Sequence, residues 1–268
     1  MIKKTVSLVE KIARKTISDE LLPLANQLTY KILLAFFPFL IFLMTVLGFI
    51  NIDANILLDR LSQFIPSDVL SIVRAFTGEV FNQRNISLLS ISLITTIISA
   101  SSGFKAVIRG VNKTFDHHET RNTVTRHALA FLLMLVFVVA IIAALSLIIF
   151  QNTLIQFFTN FTEVSDAALR TFDALSSAMA LVILLIATTV IYKYASCKPI
   201  KFFNLLPGAA FTVFFWVLFS KLFNIYVANF SNYSNLYGSI GNVFVLMIWL
   251  NTISMVLLIG SEINASIF

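Results

Sequence analysis

Residues 127–151 read HALAFLLMLVFVVAIIAALSLIIFQ and contain no lysine, arginine, aspartate or glutamate. A helix needs about 20 predominantly apolar residues to cross the hydrocarbon core of a bilayer. This stretch is long enough to do so, and it therefore predicts a transmembrane helix. Similar apolar stretches recur on both sides of it along the chain.

The composition of the whole chain agrees with a membrane protein. Hydrophobic residues make up 58% of the 268 positions and charged residues only 12%, whereas soluble domains carry about 25% charged residues. The remaining polar side chains are too few to cover a water-exposed globule of this length. These proportions exclude a soluble enzyme and leave no length for a separate soluble domain.

Six apolar segments are long enough to span a bilayer. They cover residues 26–50, 86–108, 127–151, 174–196, 203–228 and 239–267. We therefore predict an all-α fold class: a polytopic membrane protein with six transmembrane helices in a single integral membrane domain, residues 1–268. Two amphipathic stretches accompany the spans. Residues 1–18 predict a helix on the cytoplasmic surface, and residues 51–85 predict an extracytoplasmic helical hairpin interrupted at Pro66.

The distribution of lysine and arginine predicts the orientation of the spans. Thirteen of these residues lie in the stretches 1–18, 105–127 and 193–201, and four lie in the connections of the opposite side. Because cytoplasmic loops are enriched in lysine and arginine, both termini are predicted to be cytoplasmic. Topology then explains the formal net charge of +6, and no specific nucleic-acid partner is implied. The single cysteine, Cys197, excludes an intramolecular disulfide.

Polar side chains within the spans are the candidates for function, because a polar group in hydrocarbon is costly unless it meets a partner or water. In the second span, hydroxyl side chains recur at spacings of three and four residues: Ser92, Thr95, Thr96, Ser99 and Ser102. Small residues at this spacing either let two helices pack closely or line a water-filled substrate path. The sequence leaves both interpretations open for Ser92, Thr96 and Ser99.

Four charged residues are predicted to lie at similar depth near the cytoplasmic ends of three spans. They are Glu262, Lys31, Lys105 and Arg109. An isolated carboxylate at this depth is expensive, so Glu262 is expected to pair with one of the three bases or to be protonated. A structural clamp and a proton-coupling acid are the two roles that this position permits.

A second group of polar residues is predicted toward the opposite side of the membrane. Lys221 and Asn224 fall in the outer half of the fifth span, while Tyr237 and Gly238 belong to a charge-free, turn-rich segment. Lys221 either extends its ammonium to the outer surface or lines a cavity for an anionic head group. Glycines in a charge-free segment also permit the backbone to line such a cavity.

Two groups of residues resemble a bacterial membrane family. The first contains Ser101-Ser102-Gly103, Asn112, Phe115-Asp116, Glu119 and Arg121, and the second contains Pro207-Gly208-Ala209, Trp216, Ser220, Tyr226, Tyr233, Tyr237-Gly238-Ser239, Gly241, Trp249, Gly260, Glu262 and Asn264. In order and spacing they are similar to the YihY/BrkB family over nearly the whole chain. The resemblance implies a six-helix protein of the bacterial inner membrane with both ends inside. Family members have carried the label ribonuclease BN, and transport of envelope lipids has also been suggested for them.

The residues argue against the nuclease label. Metal-assisted phosphodiester cleavage needs converging carboxylates or histidines. The histidines are His117, His118 and His127, with Asp116 and Glu119 nearby, and no His-x-x-x-His or Asp-x-Asp pattern occurs. We therefore expect no enzyme activity, no catalytic residue, no metal and no cofactor.

The leading hypothesis is a transporter or flippase that moves an amphipathic anionic envelope lipid across the cytoplasmic membrane. Its expected partners are membrane lipids, anionic or polyisoprenoid. A noncatalytic membrane scaffold or assembly factor for envelope biogenesis is the alternative. The small residues Gly208-Ala209-Ala210 can pack within one bundle or between protomers, so a homo-oligomer is also left open.

Overall fold

The computed structural model describes residues 2–50, 58, 65, 69–74, 86–159, 166–229 and 239–267. These ranges include the connections 115–122 and 196–205. Long helices account for most of these residues, and no strand occurs among them. The helices are α1 (Ile2–Ser18), α2 (Leu21–Ile50), α3 (Ile86–Thr114), α4 (Thr123–Thr159), α5 (Asp166–Ala195), α6 (Leu206–Asn229) and α7 (Ser239–Ile267). A short 3-10 helix, Phe202–Leu205, precedes α6.

Six of these helices, α2 to α7, are long and apolar enough to cross a membrane, which confirms the predicted fold class. Several helices extend beyond the apolar segments predicted from the sequence. The helix α3 continues to Thr114 instead of ending at residue 108, and α2 begins at Leu21 instead of residue 26. Hydropathy detects only the part of a helix that lies in hydrocarbon. In α3, the added residues 109–114 include Arg109 and Lys113, and such a charged turn keeps the same helical hydrogen bonds. In α2, the added residues 21–25 are uncharged and continue the apolar span.

The six spans form a closed ring. Each span packs against the next one along the chain, and α7 packs against α2 to complete the ring. The helices α3 and α7 also contact each other across the bundle. The largest apolar core cluster lies where α3, α4 and α5 meet, and it includes Ile108, Leu133 and Tyr192.

The helices α6 and α7 approach backbone to backbone at Gly208 and Gly260. A Cβ atom added to Gly208 would collide with the backbone oxygen of Gly260, and one added to Gly260 would collide with Thr212 Oγ1. The amide of Asn264 seals this contact, since its Oδ1 accepts from Gly208 N at 2.8 Å and its Nδ2 donates to Leu205 O at 3.1 Å. Small residues that permit such an approach are typical of packed membrane helices.

Tyr192 brings α5 into the same contact. Its hydroxyl donates to Leu257 O at 2.6 Å and lies 2.7 Å from Thr212 Oγ1. Because an unpaired polar group in an apolar medium is costly, these bonds fix three spans relative to one another. Of the small residues here, Ala209 is buried within the chain and Ala210 is exposed. A homo-oligomer stays a prediction.

The helix α1 lies across one end of the bundle, which we call the terminal end because the first and last helices meet there. Lys11 Nζ of α1 donates to Ser266 O of α7 at 3.0 Å. Glu20 follows α1 with a φ of 53°, a left-handed conformation that ends the helix and turns the chain into α2. That the terminal end faces the cytoplasm stays a prediction from the charge distribution.

Most of the segment 51–85, including Pro66, lies outside the described residues. Its described apolar side chains are buried against two spans. Val69 and Ile72 share a cluster with Trp249 of α7, whereas Leu70 and Val73 share one with Met44 of α2. The prediction of a surface hairpin concerns mainly the residues that are not described, and it stays a prediction.

We expect Gly260→Ala to destabilise the folded protein by about 1–3 kcal/mol, because its Cβ requires backbone movement where α6 meets α7. Thermal unfolding in detergent micelles measures the difference. Gly103→Ala is the matched control, since a Cβ at Gly103 meets no neighbouring atom within 4 Å. Alanine is also favoured over glycine in a helix by about 1 kcal/mol. Equal stability of the two variants would contradict the close contact.

Candidate functional site

A cavity of about 360 Å³ at the terminal end collects most of the charged side chains that the sequence singles out. Its walls come from α2, α3, the connection after α3 and the start of α4. Five of the lining side chains are cations: Lys31, Lys105, Arg109, Lys113 and Arg126. The lining also includes the chain's three histidines and one carboxylate, Glu119. We call this space the basic cavity.

Local structure explains why these residues converge. Lys105, Arg109 and Lys113 recur every four residues on α3, so they share one face of that helix. After α3, Asp116 adopts a φ of 53° and His117 N bonds back to Asn112 O at 3.0 Å. This helix-ending motif reverses the chain so that the histidines return over the cavity.

The helix α4 then starts at the edge of the basic cavity. The Asn122 side chain caps it by accepting from Thr125 N at 2.7 Å. Arg126 therefore ends the first turn of α4 and His127 begins the second, and both line the cavity. The Nε atom of Arg126 is buried without a hydrogen-bond partner among the described residues.

Three cations of the basic cavity contact groups other than carboxylates. Lys31 Nζ donates to Ser102 O at 3.4 Å, and Arg109 Nη1 donates to Gln27 Oε1 at 3.2 Å. Lys105 Nζ lies 3.1 Å from His127 Nε2. Among the described residues, no carboxylate lies within 4 Å of the five cations.

The single carboxylate of Glu119 cannot neutralise the five cations of the cavity, and its hydrogen bonds go to other groups. Its oxygens accept from Asn112 Nδ2 at 2.9 Å, from Arg121 N at 3.2 Å and from Cys197 Sγ at 3.4 Å. The Arg121 guanidinium lies 3.9 Å from this carboxylate and is not among the residues that line the cavity. The cavity therefore keeps an excess of positive charge, which suits it to bind an anion.

Glu262 does not belong to the basic cavity, and the expectation that it pairs with Lys31, Lys105 or Arg109 is wrong. Its side chain is fully buried at the junction of α7 with α1. One carboxylate oxygen lies 3.8 Å from Lys15 Nζ and accepts from Ser266 Oγ at 3.1 Å. Glu262 meets a different base because α1 folds over the terminal end and brings Lys15 next to it.

Lys15 also pairs with Asp116 at 2.7 Å, so it connects α1 to α7 and to the end of α3. Burial of the ammonium lowers the pKa of Lys15, but the hydrogen bond to Asp116 and the nearby Glu262 and Asp19 carboxyls raise it above its ordinary value of 10.5. A raised pKa of a base stabilises the fold below the ordinary value, and that stabilisation is lost only as the pH rises through the folded-state pKa. Lys15 therefore braces the terminal end as a cation at neutral pH.

The hydroxyl groups of α3 divide between two environments. Ser92 and Thr96 are buried, Ser99 is half-buried, and Thr95 is exposed. Ser92 Oγ donates to Leu89 O at 3.1 Å within its own helix. Thr96 Oγ1 is buried with no hydrogen-bond partner among the described residues. The burial of Ser92 and Thr96 favours close helix packing in this conformation, and a role in a substrate path stays a prediction.

The second predicted group of polar residues lies away from the basic cavity. Lys221 is exposed on α6, about 22 Å along the helix from Leu206. Asn224, one turn later, is half-buried. The neighbouring Ser220 is buried and accepts from Trp249 Nε1 at 3.2 Å. Tyr237 and Gly238 lie outside the described residues, so their part in a substrate path stays a prediction.

Sequence reasoning found three members of the basic cavity but missed that Lys113, Arg126 and the histidines join them. The recurrence of Lys105, Arg109 and Lys113 every four residues could have indicated that Lys113 shares their face of the helix. The contribution of α4 depends on the turn at Asp116, which hydropathy does not report. In the described part of the chain, no group of three His, Cys, Asp or Glu side chains is placed to hold a metal ion.

Six apolar helices around a polar, basic end define a polytopic helical membrane protein. The chain belongs to the family described as virulence factor BrkB, whose model matches residues 12–267. This confirms the resemblance to YihY/BrkB proteins. No solved structure matches the chain.

Three bacterial relatives cover most of this chain. The ribonuclease-like protein YfkH of Bacillus subtilis is 34% identical over 89% of this chain and 87% of its own length. A UPF0761 membrane protein of Histophilus somni is 21% identical, with coverages of 90% and 83%. The UPF0761 membrane protein PBPRA3489 of Photobacterium profundum is 21% identical, with coverages of 99% and 82%. With the six spans, these relatives place the chain in the bacterial cytoplasmic membrane as a multi-pass protein.

We expect a double-mutant cycle to reveal the Lys15–Glu262 coupling. Lys15→Met should cost about 1–3 kcal/mol of unfolding free energy, because it leaves the buried Glu262 without a cation. In a Glu262→Gln background the cost should be smaller, with a coupling of about 0.5–3 kcal/mol. Denaturant unfolding in micelles measures all four states.

Arg14→Met is the control for this cycle, because the Arg14 side chain is 79% exposed on the same helix. It should change the unfolding free energy by no more than about 0.5 kcal/mol. Strict additivity of Lys15→Met and Glu262→Gln would show that the two residues do not interact.

Proposed function

We propose that this protein moves an amphipathic anionic lipid, such as a polyisoprenoid phosphate or a lipid precursor, across the bacterial cytoplasmic membrane. The observation that carries the proposal is the basic cavity, where five cations and one carboxylate, Glu119, face one space and none of the five cations has a carboxylate within 4 Å among the described residues. Lysine and arginine are the usual partners of phosphate groups. A volume of about 360 Å³ suits a phosphorylated head group, with the lipid tail left outside.

The position of Lys31 supports a membrane-facing role for this cavity. Lys31 is ten residues beyond Leu21, the first residue of its span, and therefore about 15 Å along the helix. A cation within an apolar span is costly unless it meets water or an anion. The basic cavity would thus carry a head group from the terminal surface into the thickness of the bilayer.

The hydroxyl residues of α3 would continue this path. Ser99, Thr96 and Ser92 follow Lys105 toward the other end of α3, at about 9, 14 and 20 Å along its axis. They are buried or half-buried in this conformation. A head group would reach them when α2, which packs against α3, separates from it. Lys221 would then receive the head group near the opposite surface.

The energy source of this movement is not an ATP-binding loop of the chain itself, since the sequence has no G-x-x-x-x-G-K-[ST] pattern. A gradient, the concentration of the lipid or a partner protein would supply the driving force. The scaffold alternative requires none of these and needs no anion in the cavity. The noncatalytic character of the protein is part of the same proposal.

The test is lipid movement in vesicles that contain the purified full-length protein. A fluorescent polyisoprenoid phosphate should cross faster than in protein-free vesicles. The double variant Lys105→Gln/Arg109→Gln should slow crossing by roughly 10-fold or more, because each lost charged hydrogen bond is worth about 1.5–3 kcal/mol. Crossing is measured by chemical quenching of the outer leaflet.

Arg14→Gln is the matched charge control for this experiment, and its crossing rate should equal that of the wild type. Wild-type protein that moves no lipid would overturn the transport proposal and favour the scaffold. Movement that survives the double variant would show that the basic cavity is not on the path.

The Lys221→Ala variant tests the opposite end of the proposed path. We expect it to insert and fold normally, since the side chain is exposed, but to lose most lipid movement because the head group lacks its outer cation. The same vesicle assay measures the effect, with Arg170→Ala, also exposed, as the control. Full activity of Lys221→Ala would remove this residue from the mechanism.

A further inference from the structure

A second basic region lies at the terminal end, and Arg121 of the connection that follows α3 contributes to it. It is a groove of about 480 Å³ beside the α5–α6 connection, and its cations are Arg121, Lys193, Lys198 and Lys201. None of the residues that line it lines the basic cavity. The two regions are therefore separate sites.

The four cations of this groove have different roles. Arg121 donates to Ala195 O at 3.3 Å and to Ser196 O at 2.7 Å, so it closes the end of α5 and is not available to a ligand. The three lysines have no carboxylate within 4 Å among the described residues. Lys193, Lys198 and Lys201 therefore form a patch of uncompensated positive charge.

An apolar groove of about 620 Å³ begins where this patch ends. It runs between α4 and α5, and its lining residues are almost entirely aliphatic. The small side chains of alanines 140, 143 and 187 leave space between larger side chains such as Leu129 and Ile183. Such a concave aliphatic surface on membrane-spanning helices fits an acyl chain.

Tyr194 joins the two grooves, because it lines both. Its ring lies 5.5 Å below the Lys193 ammonium, a cation–π distance. Tyrosine with one apolar and one polar end is typical of the level where lipid head groups meet hydrocarbon. The lysine patch therefore adjoins the apolar groove at the level expected for lipid head groups.

We propose that these joined grooves bind one phospholipid with an anionic head group. Its phosphate contacts Lys193, Lys198 and Lys201, and one acyl chain occupies the α4–α5 groove. Basic pockets beside transmembrane helices bind anionic head groups in this manner. The apolar groove favours a lipid over a soluble phosphate, which would leave that groove unused. The site does not depend on lipid transport.

Native mass spectrometry of the full-length protein tests this site. The protein is titrated with phosphatidylglycerol or with phosphatidylcholine of identical acyl chains. Each lysine near a head group contributes about fivefold in affinity. We therefore expect phosphatidylglycerol to bind on the order of 10- to 100-fold more tightly. The triple variant Lys193→Gln/Lys198→Gln/Lys201→Gln should reduce its affinity to that of phosphatidylcholine.

Two further variants keep the test specific. Ala143→Phe fills the apolar groove and should weaken phosphatidylglycerol binding several-fold while all three lysines remain. Arg14→Gln, which removes an exposed charge of α1 away from both grooves, should leave it within about twofold of the wild type. Phosphatidylglycerol binding that survives the triple lysine variant and is lost in Lys105→Gln/Arg109→Gln would overturn this site, because the lipid would then occupy the basic cavity.

Two other outcomes would also overturn the proposal. The first is equal affinity of the wild type for the two lipids. The second is lysine-dependent binding of glycerol phosphate together with lipid binding that Ala143→Phe does not change, because the ligand would then be a soluble phosphate.

Discussion

The contact between Gly208 and Gly260 is the constraint on which the rest of the bundle depends. Lipid tails are as apolar as leucine, so membrane helices gain little from burying apolar side chains against each other. Close backbone approach and internal hydrogen bonds must replace that driving force. The two glycines supply the approach, and Asn264 and Tyr192 supply the bonds.

The helix α7 consequently becomes the axis to which the other spans attach. Its polar side chains reach several neighbours: Ser254 lies 3.2 Å from Thr29 of α2, Ser261 lies 2.6 Å from Thr114 of α3, and Asn264 bonds to Gly208 of α6. Each of these groups is buried, and each has a partner. These polar residues of the last span therefore connect it to its neighbours, and Glu262 connects it to α1 through Lys15.

The terminal end separates its charges into three arrangements with different consequences. Lys15, Asp116 and Glu262 form a mixed network that holds α1 in place. The basic cavity and the lysine patch beside Tyr194 keep uncompensated cations. Glu119 and Asn112 line the basic cavity, and they tie the connection after α3 to Ala195 and Cys197 at the end of α5. The Glu119 carboxylate thus stabilises the connection after α3, and the cations of both regions remain available to anions.

The sequence by itself determined the number of spans, the helical class and the family, because membrane insertion depends on apolar length and the family motifs are local. It also singled out Lys31 as a charge within an apolar segment, and Lys105 and Arg109 as charges at the end of the second span, since such positions are visible without a fold. Only the tertiary structure decided which charges meet. Lys15 replaced the expected partners of Glu262, and Arg126 and the histidines joined the basic cavity, because the turns at Glu20 and Asp116 direct α1 and α4. Periodicity along one helix cannot report such contacts between helices far apart in the chain.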